Sequence, residues 1–136
     1  MHLQIMIRKR ISTRLFPLLL LGCSILSSCS KASTTTFSSV EVDEFAKVIA
    51  TPHVQLVDVR TPEEFAEGNI PSSINIDVKS DNFMERATTE LDKAHTVAIY
   101  CRSGRRSKIA AQQLHDAGYT VIELDSGFLG WEKRNP

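Results

Sequence analysis

The chain has 136 residues, of which 24% are charged and 42% hydrophobic, and its 16 basic residues balance its 16 acidic ones. A chain of this length is expected to form one domain rather than two, because domains typically hold about 100–150 residues. The balanced charge excludes a broadly basic surface, so we expect no binding to nucleic acid.

The first 28 residues have the pattern of a secretory signal. Four basic residues precede an apolar segment that is too short for a comfortable membrane span. That segment ends at residues 26–29, Leu-Ser-Ser-Cys, which resemble the lipobox of bacterial lipoproteins. The resemblance implies that Cys29 is diacylated and becomes the mature N-terminus. Cys23 is a poorer second candidate for this cut site, and an uncleaved anchor or an ordinary secretory signal are the alternatives.

This interpretation assigns residues 1–28 to a lipoprotein signal peptide, 29–36 to a flexible tether and 37–136 to a folded domain. Two or more acyl chains at Cys29 would anchor the protein stably in the cell envelope, facing the periplasm. Ser30 follows the cysteine in place of an aspartate, which favours the outer membrane. Cleavage leaves 108 residues, with 12 basic and 16 acidic side chains and a net charge of −4. A monomer is expected.

The mature chain is predicted to contain a single reactive thiol. Cys23 leaves with the signal and Cys29 is blocked by lipid, so Cys101 has no cysteine with which to form an intramolecular disulfide. An odd cysteine in an exported protein is a candidate reactive group. No pair of cysteines or histidines has the spacing of metal ligands, so no metal and no other cofactor is expected.

Helical and strand-like patterns alternate along the domain. The apolar positions predict helices over 42–49, 62–67, 81–91, 107–117 and near 128–131, and strands over 54–59, 74–76, 96–100 and 119–124. Thr61 as N-cap, Pro62 at the first position and Glu64 in a capping box give the second helix a strong start, and Gly68 ends it.

This alternation predicts an α/β fold, with parallel strands joined by helical crossovers and helices on both faces of the sheet. In such sheets ligands bind beyond the carboxyl ends of the strands. Asp58 and Cys101 both stand at such ends.

The loop after the third predicted strand carries the clearest functional signal. A short apolar run ends in Cys101, and a helical pattern begins at about Ser107. A helix N-terminus offers unpaired N–H groups and partial positive charge, which bind anions and favour a thiolate nucleophile. A buried structural cysteine is the alternative, but it does not explain the glycine and arginines that follow. The predicted active-site loop comprises Cys101, Arg102, Ser103, Gly104, Arg105 and Arg106.

Five blocks along the chain together resemble the rhodanese homology domain, a sulfurtransferase module. They are LVDVRTPEEF at 56–65, GNIP at 68–71, INI at 74–76, CRSGRRS at 101–107, and the segment from Gly118-Tyr119 through Gly127 to Trp131. The resemblance spans about 37–131 and implies a three-layer fold around a mostly parallel five-stranded sheet. The chain departs from the family at Asn69, usually His, at Ser72 and Ser73, usually Gly-Ala, and at Ser126, usually Gly. These departures leave the nucleophile in place.

The resemblance implies a thiosulfate sulfurtransferase-type enzyme. Cys101 would attack the sulfane sulfur of a donor such as thiosulfate or a persulfide, and hold it as a persulfide. A thiophilic acceptor, cyanide or a small or protein thiol, would then take it. The loop N–H groups would surround the sulfur, with Gly104 permitting the twist. Arg102 and Arg105 are expected at the rim around an anionic donor, and Arg106 is expected to point back to the loop or to a carboxylate.

Asp58 and Arg60 are predicted to support this site. Asp58 either accepts hydrogen bonds from loop N–H groups or an arginine, or only caps the turn into the next helix. Arg60 is interpreted first as a structural salt-bridge residue.

Two other functions use the same elements. Related phosphatases and arsenate reductases have five residues between the cysteine and the arginine of the loop, whereas four separate Cys101 from Arg106 here. The shorter loop suits a sulfur atom better than a tetrahedral oxyanion. A non-catalytic or redox-sensing module is the second alternative. Inactive family members usually lack the cysteine, which this chain keeps.

Overall fold

The structure is a computed structural model, and it describes residues 37–135. The predicted signal peptide, the tether and Cys29 lie outside the described residues. The elements in chain order are β1 (Ser38–Val40), α1 (Val42–Ile49), β2 (Gln55–Asp58), α2 (Pro62–Glu67), β3 (Ile74–Asn75), α3 (Phe83–Glu90), β4 (Val97–Tyr100), α4 (Arg105–Asp116), β5 (Val121–Leu124) and α5 (Gly127–Arg134).

The five strands form one sheet in the order β1-β5-β4-β2-β3, and each neighbouring pair is parallel. Parallel neighbours require crossover connections, which the helices supply. The predicted α/β class with a parallel five-stranded sheet is therefore confirmed.

Strand β4 lies at the centre of the sheet and is buried along its whole length. Its side chains alternate between two cores, as the period of a strand requires. Val97 and Ile99 pack in a cluster with residues of α3 and α4, and Ala98 and Tyr100 pack in a second cluster with residues of α1 and α5. Helices thus cover both faces, which gives the three layers that the family resemblance implies.

Local sequence signals explain where α2 and α4 begin. The capping box of α2 is present, since Thr61 Oγ1 accepts from the Glu64 N–H and the Glu64 carboxylate accepts from the Thr61 N–H. Helix α4 begins at Arg105, two residues before the predicted start at Ser107. Gly104 explains the difference, because its φ of +87° lets the chain turn into the helix directly after the loop.

Strand β1 was not predicted from the residue pattern, which indicates only four strands. It has three residues, in a stretch rich in serine and threonine, and it pairs with β5 more than 80 residues later in the chain, with Ser39 opposite Glu123. Its formation depends on that distant partner rather than on local propensity. Within residues 37–135, no helix has the length and apolar character that a membrane span requires.

Candidate active site

Cys101 lies directly after β4, where the central strand reaches the carboxyl edge of the sheet. Its side chain continues the β4 alternation into the core beside α4, and only 1% of the residue is exposed. The Gly104 N–H donates to Sγ at 3.2 Å, and Ser107 Oγ lies 3.3 Å from the same sulfur. The thiol is therefore held by the loop and by the first turn of α4.

The backbone of the loop is fixed by the segment that follows β5. The Phe128 N–H donates to the Cys101 carbonyl at 2.7 Å and the Leu129 N–H donates to the Arg102 carbonyl at 3.0 Å, so the first turn of α5 binds the loop carbonyls. A Cβ on Gly104 would collide with the Asp125 carbonyl oxygen. This close approach, together with its positive φ, makes Gly104 the loop position that excludes other residue types.

Cys101 opens into a cavity of about 530 Å³ with a positively charged lining. The lining residues are Val78, Lys79, Cys101, Arg102, Ser103, Arg105, Arg106 and Ile109. Four of these eight side chains are cationic, and no acidic residue in the described part of the chain is among them. Arg102 and Arg105 are exposed, as the sequence predicts for residues of the rim. The cavity therefore suits a small anion.

Arg106 joins α4 to α2 through Glu64. Its two terminal nitrogens donate to the two carboxylate oxygens of Glu64, both at 2.7 Å. This hydrogen bonding lowers the pKa of Glu64 to about 2, and the same carboxylate raises the pKa of Arg106. The structure thus places Arg106 on a carboxylate, one of the two positions expected for it, and leaves Arg102 and Arg105 at the rim.

Asp58 and Arg60 form a buried pair beside the site. Asp58 accepts from the Arg60 main-chain N–H at 2.9 Å and from its guanidinium at 2.6–3.0 Å, so of the predicted alternatives an arginine is its partner. Burial opposes the charged form of Arg60, but the hydrogen bonds and charge of Asp58 outweigh it and raise the pKa of Arg60. The guanidinium also donates to the Gly68 carbonyl and lies 4.2 Å from the ring centroid of Phe128. Support for the loop is therefore indirect, through Phe128.

A model of the rhodanese-like domain matches residues 41–134. The chain belongs to the rhodanese-like domain family.

Named relatives of this rhodanese-like domain come from several different organisms. A sulfurtransferase from Allochromatium vinosum is 38% identical over 84 residues, which are 61% of this chain and 76% of that one. Thiosulfate sulfurtransferase 18 of Arabidopsis thaliana is 33% identical over 118 residues, covering 78% of this chain and 85% of its own. The solved rhodanese-related protein of Thermoplasma volcanium has a TM-score of 0.64 at 26% identity, over 72% of this chain and 93% of that one. Together these similarities support a rhodanese-type sulfurtransferase at the level of the family.

Sequence reasoning missed several residues around the Cys101 thiol of this rhodanese-like domain. Val78, Lys79 and Ile109 line the cavity, and each is brought there by the fold from outside the loop motif. Glu123 in β5 was also missed, although it is fully buried and accepts a hydrogen bond from Ser107 Oγ. A glutamate within an otherwise apolar strand was the available signal for Glu123, because charged residues are rarely fully buried without a partner.

Proposed function

We propose that this protein is a sulfurtransferase that moves a sulfane sulfur from an anionic donor, such as thiosulfate or a persulfide, to a thiophilic acceptor through a Cys101 persulfide. The observation that carries the proposal is the position of Sγ, which accepts a loop N–H at the base of a cavity lined by four cationic side chains. Family membership and the names of the relatives support the same chemistry.

In the loading step, the Cys101 thiolate attacks the outer sulfur of thiosulfate. A bond forms between Sγ and that sulfur, the sulfur–sulfur bond of the donor breaks, and its electron pair leaves with sulfite. Arg102 and Arg105 at the rim favour the approach of the doubly charged donor. The outer sulfur of the resulting persulfide then carries the negative charge, which the cationic lining stabilises.

In the second step, the acceptor attacks the outer sulfur. The bond to Sγ breaks and its electron pair returns to Cys101, so the thiolate is regenerated. Cyanide would leave as thiocyanate, and a thiol acceptor would leave as a persulfide. The cavity opens directly at Cys101, so donor and acceptor would use the same opening in turn.

The length of the loop argues against phosphatase chemistry. Four residues separate Cys101 from Arg106, one fewer than in the related phosphatases, and Arg106 is held toward α2 by its two hydrogen bonds to Glu64. No observation favours the redox-sensing alternative specifically, since the described residues supply no second cysteine beside Cys101.

Thiocyanate production from thiosulfate and cyanide tests the proposal. The wild-type chain is expected to release thiocyanate catalytically, and Cys101→Ser is expected to reduce the rate to the uncatalysed background, because serine cannot hold the transferred sulfur. Glu44→Gln, a change on the exposed face of α1, should leave the rate unchanged. Equal rates in wild type and Cys101→Ser would refute a cysteine-based transfer.

We also propose that the protein is held at the cell envelope by lipid on Cys29, facing the periplasm, and acts there as a monomer. The sequence of residues 26–29 and the preceding basic and apolar segments support this. The partners are then small sulfur donors and thiol or protein acceptors, and nucleic acid is not among them.

A further inference from the structure

A buried chain of polar side chains leads from Cys101 into the core. Ser107, in the first turn of α4, places its hydroxyl oxygen 3.3 Å from Sγ and 2.6 Å from Oε1 of Glu123 in β5. Both Ser107 and Glu123 have no exposed surface. The cysteine sulfur is therefore connected to a fully buried carboxylate through a single hydroxyl group.

The neighbours of Glu123 are two hydroxyl donors and a cation. Ser39 of β1 donates to Oε2, Ser107 donates to Oε1, and the ammonium group of Lys108 lies 3.3 Å from Oε2. Asp125 holds Lys108 in place at 2.6 Å and lies 3.4 Å from Ser39 Oγ. Both carboxylate oxygens therefore have a hydrogen-bond donor and a cation lies beside them, which are the partners that a buried carboxylate requires.

The Ser107 hydroxyl has one hydrogen and two possible acceptors. A hydroxyl donates only one hydrogen bond, so it cannot serve Glu123 and Cys101 at the same time. The separation of 2.6 Å from Glu123 is in the range of charge-assisted O–H···O⁻ bonds, about 2.5–2.7 Å, whereas the sulfur is 3.3 Å away. Ser107 therefore donates to Glu123 and presents an oxygen lone pair to Sγ.

The surroundings of Cys101 are consequently polarised. On the inner side, Sγ faces the Ser107 lone pair and, beyond it, the fully buried carboxylate of Glu123, whose far oxygen is paired with Lys108. On the outer side, the cavity is lined by Lys79, Arg102, Arg105 and Arg106. Negative charge is thus less favourable at Sγ than further out in the cavity.

We propose that Glu123, acting through Ser107, disfavours negative charge on Sγ and thereby favours the sulfur-loaded cysteine over the free thiolate. The inference rests on the proposed function, because loading moves the negative charge from Sγ to the outer sulfur and leaves Sγ neutral. Glu123 is a positioning residue for this step. It accepts the hydrogen of the Ser107 hydroxyl, so that the hydroxyl oxygen faces Sγ, and it places a carboxylate on the far side of that hydroxyl.

The test compares Glu123→Gln with the wild-type full chain by the rate at which iodoacetamide alkylates Cys101 across a pH series. Cleavage after Lys93 and Arg102 gives a peptide, residues 94–102, in which Cys101 is the only cysteine, so its modification is measured by mass without interference from other thiols. Glutamine keeps the size of the side chain and removes its charge. In Glu123→Gln, the alkylation rate below the wild-type pH midpoint is expected to rise by about tenfold. The midpoint itself is expected to move to a lower pH by about one unit.

The exposed substitution Glu44→Gln is the matched control, since it makes the same change of charge on α1, and it should leave the pH profile unchanged. An unchanged or slower profile in folded Glu123→Gln would overturn the proposal. If Glu123→Gln shows no cooperative unfolding transition and is therefore not folded, the alkylation rate of Ser107→Ala tests the proposal instead. The proposal predicts equal or faster alkylation in Ser107→Ala, because Ser107 does not donate to the thiolate, and alkylation several-fold slower would contradict it.

Sulfur loading gives the second readout. The measurement is made above the alkylation midpoints of wild type and Glu123→Gln, at fixed concentrations of thiosulfate and sulfite. The folded protein is loaded and the added sulfur is then measured on the 94–102 peptide. The equilibrium constant for loading is expected to be about tenfold lower in Glu123→Gln. A constant equal to or above that of the wild type would overturn the proposed preference for the loaded form. Absence of loading in the wild type would refute the proposed function itself, while the alkylation comparison would still report on Glu123.

Discussion

At the scale of single residues, the two exposed arginines of the loop differ from the third in what they contact. Arg106 is bound to Glu64, whereas Arg102 and Arg105 are exposed at the rim of the cavity. An exposed cation contributes modestly to the attraction of an anion, and salt screens that attraction. These two arginines should therefore affect the binding of the donor more than the chemical step at Cys101.

Arg105→Ala is expected to raise KM for thiosulfate by about twofold to fivefold with little change in kcat, because an exposed ion pair contributes about 0.2–1 kcal/mol. The difference from wild type should shrink as the salt concentration rises. Steady-state thiocyanate assays at low and high salt measure both effects. Arg86→Ala, which removes an exposed arginine from α3, is the control. A fall in kcat at unchanged KM would show instead that Arg105 acts in the chemical step.

At the scale of elements, α2 and α4 are joined by the Glu64–Arg106 pair, whose side chains are about four-fifths buried. The pKa of Glu64 falls from an ordinary value of 4.5 to about 2 because Arg106 donates to its carboxylate. A group with a lowered pKa in the folded state stabilises the fold above its ordinary pKa, and this stabilisation is lost as the pH falls toward the lowered value.

Glu64→Gln keeps an acceptor for the capping box of α2 and removes the charge. We expect it to lower the free energy of unfolding by about 1–2 kcal/mol at pH 7. The difference from wild type should decrease between pH 4.5 and pH 2. Urea unfolding across that range measures it. A difference that stays constant with pH would attribute the loss to packing rather than to the charge of Glu64.

Most elements could be predicted from the sequence because their signals are local. Thr61, Pro62 and Glu64 specify the start of α2 by themselves, and the apolar run before Cys101 specifies β4. Strand β1 gives no such signal, because three residues acquire their strand geometry only from pairing with β5. Family resemblance supplied the fifth strand of the sheet, which the residue pattern did not.

At the scale of the whole molecule, the sequence predicts those residues of the candidate site that follow one another in a single segment. It does not predict the residues that the fold brings to the site from other elements. The segment 101–106 carries the thiol, the glycine and the rim arginines in sequence order. Glu123 reaches Ser107 only because β5 lies beside β4 beneath α4, and Lys79 reaches the cavity from the connection after β3. Such contacts depend on the topology of the sheet, which spacing along the chain does not encode.

The proposed attachment to the envelope also belongs to this scale, and it concerns residues outside the described part of the chain. Cys29→Ala is expected to move the protein from the membrane fraction to the soluble fraction of cells, because the lipid would have no attachment site. Cys23→Ala, at the poorer cut site, should leave the protein with the membrane. Immunoblots of fractionated cells measure both. Membrane retention of Cys29→Ala with release of Cys23→Ala would reverse the assignment.

The persulfide on Cys101 is the central claim, and the mass of the protein after incubation with thiosulfate tests it most directly. The wild-type chain is expected to gain the mass of one sulfur atom, located on the 94–102 peptide and removed by a thiol. Cys101→Ser should gain nothing under the same conditions. If the folded wild-type protein gains no sulfur from either thiosulfate or a polysulfide, or if Cys101→Ser gains as much as the wild type, the account of Cys101 as the sulfur carrier is wrong.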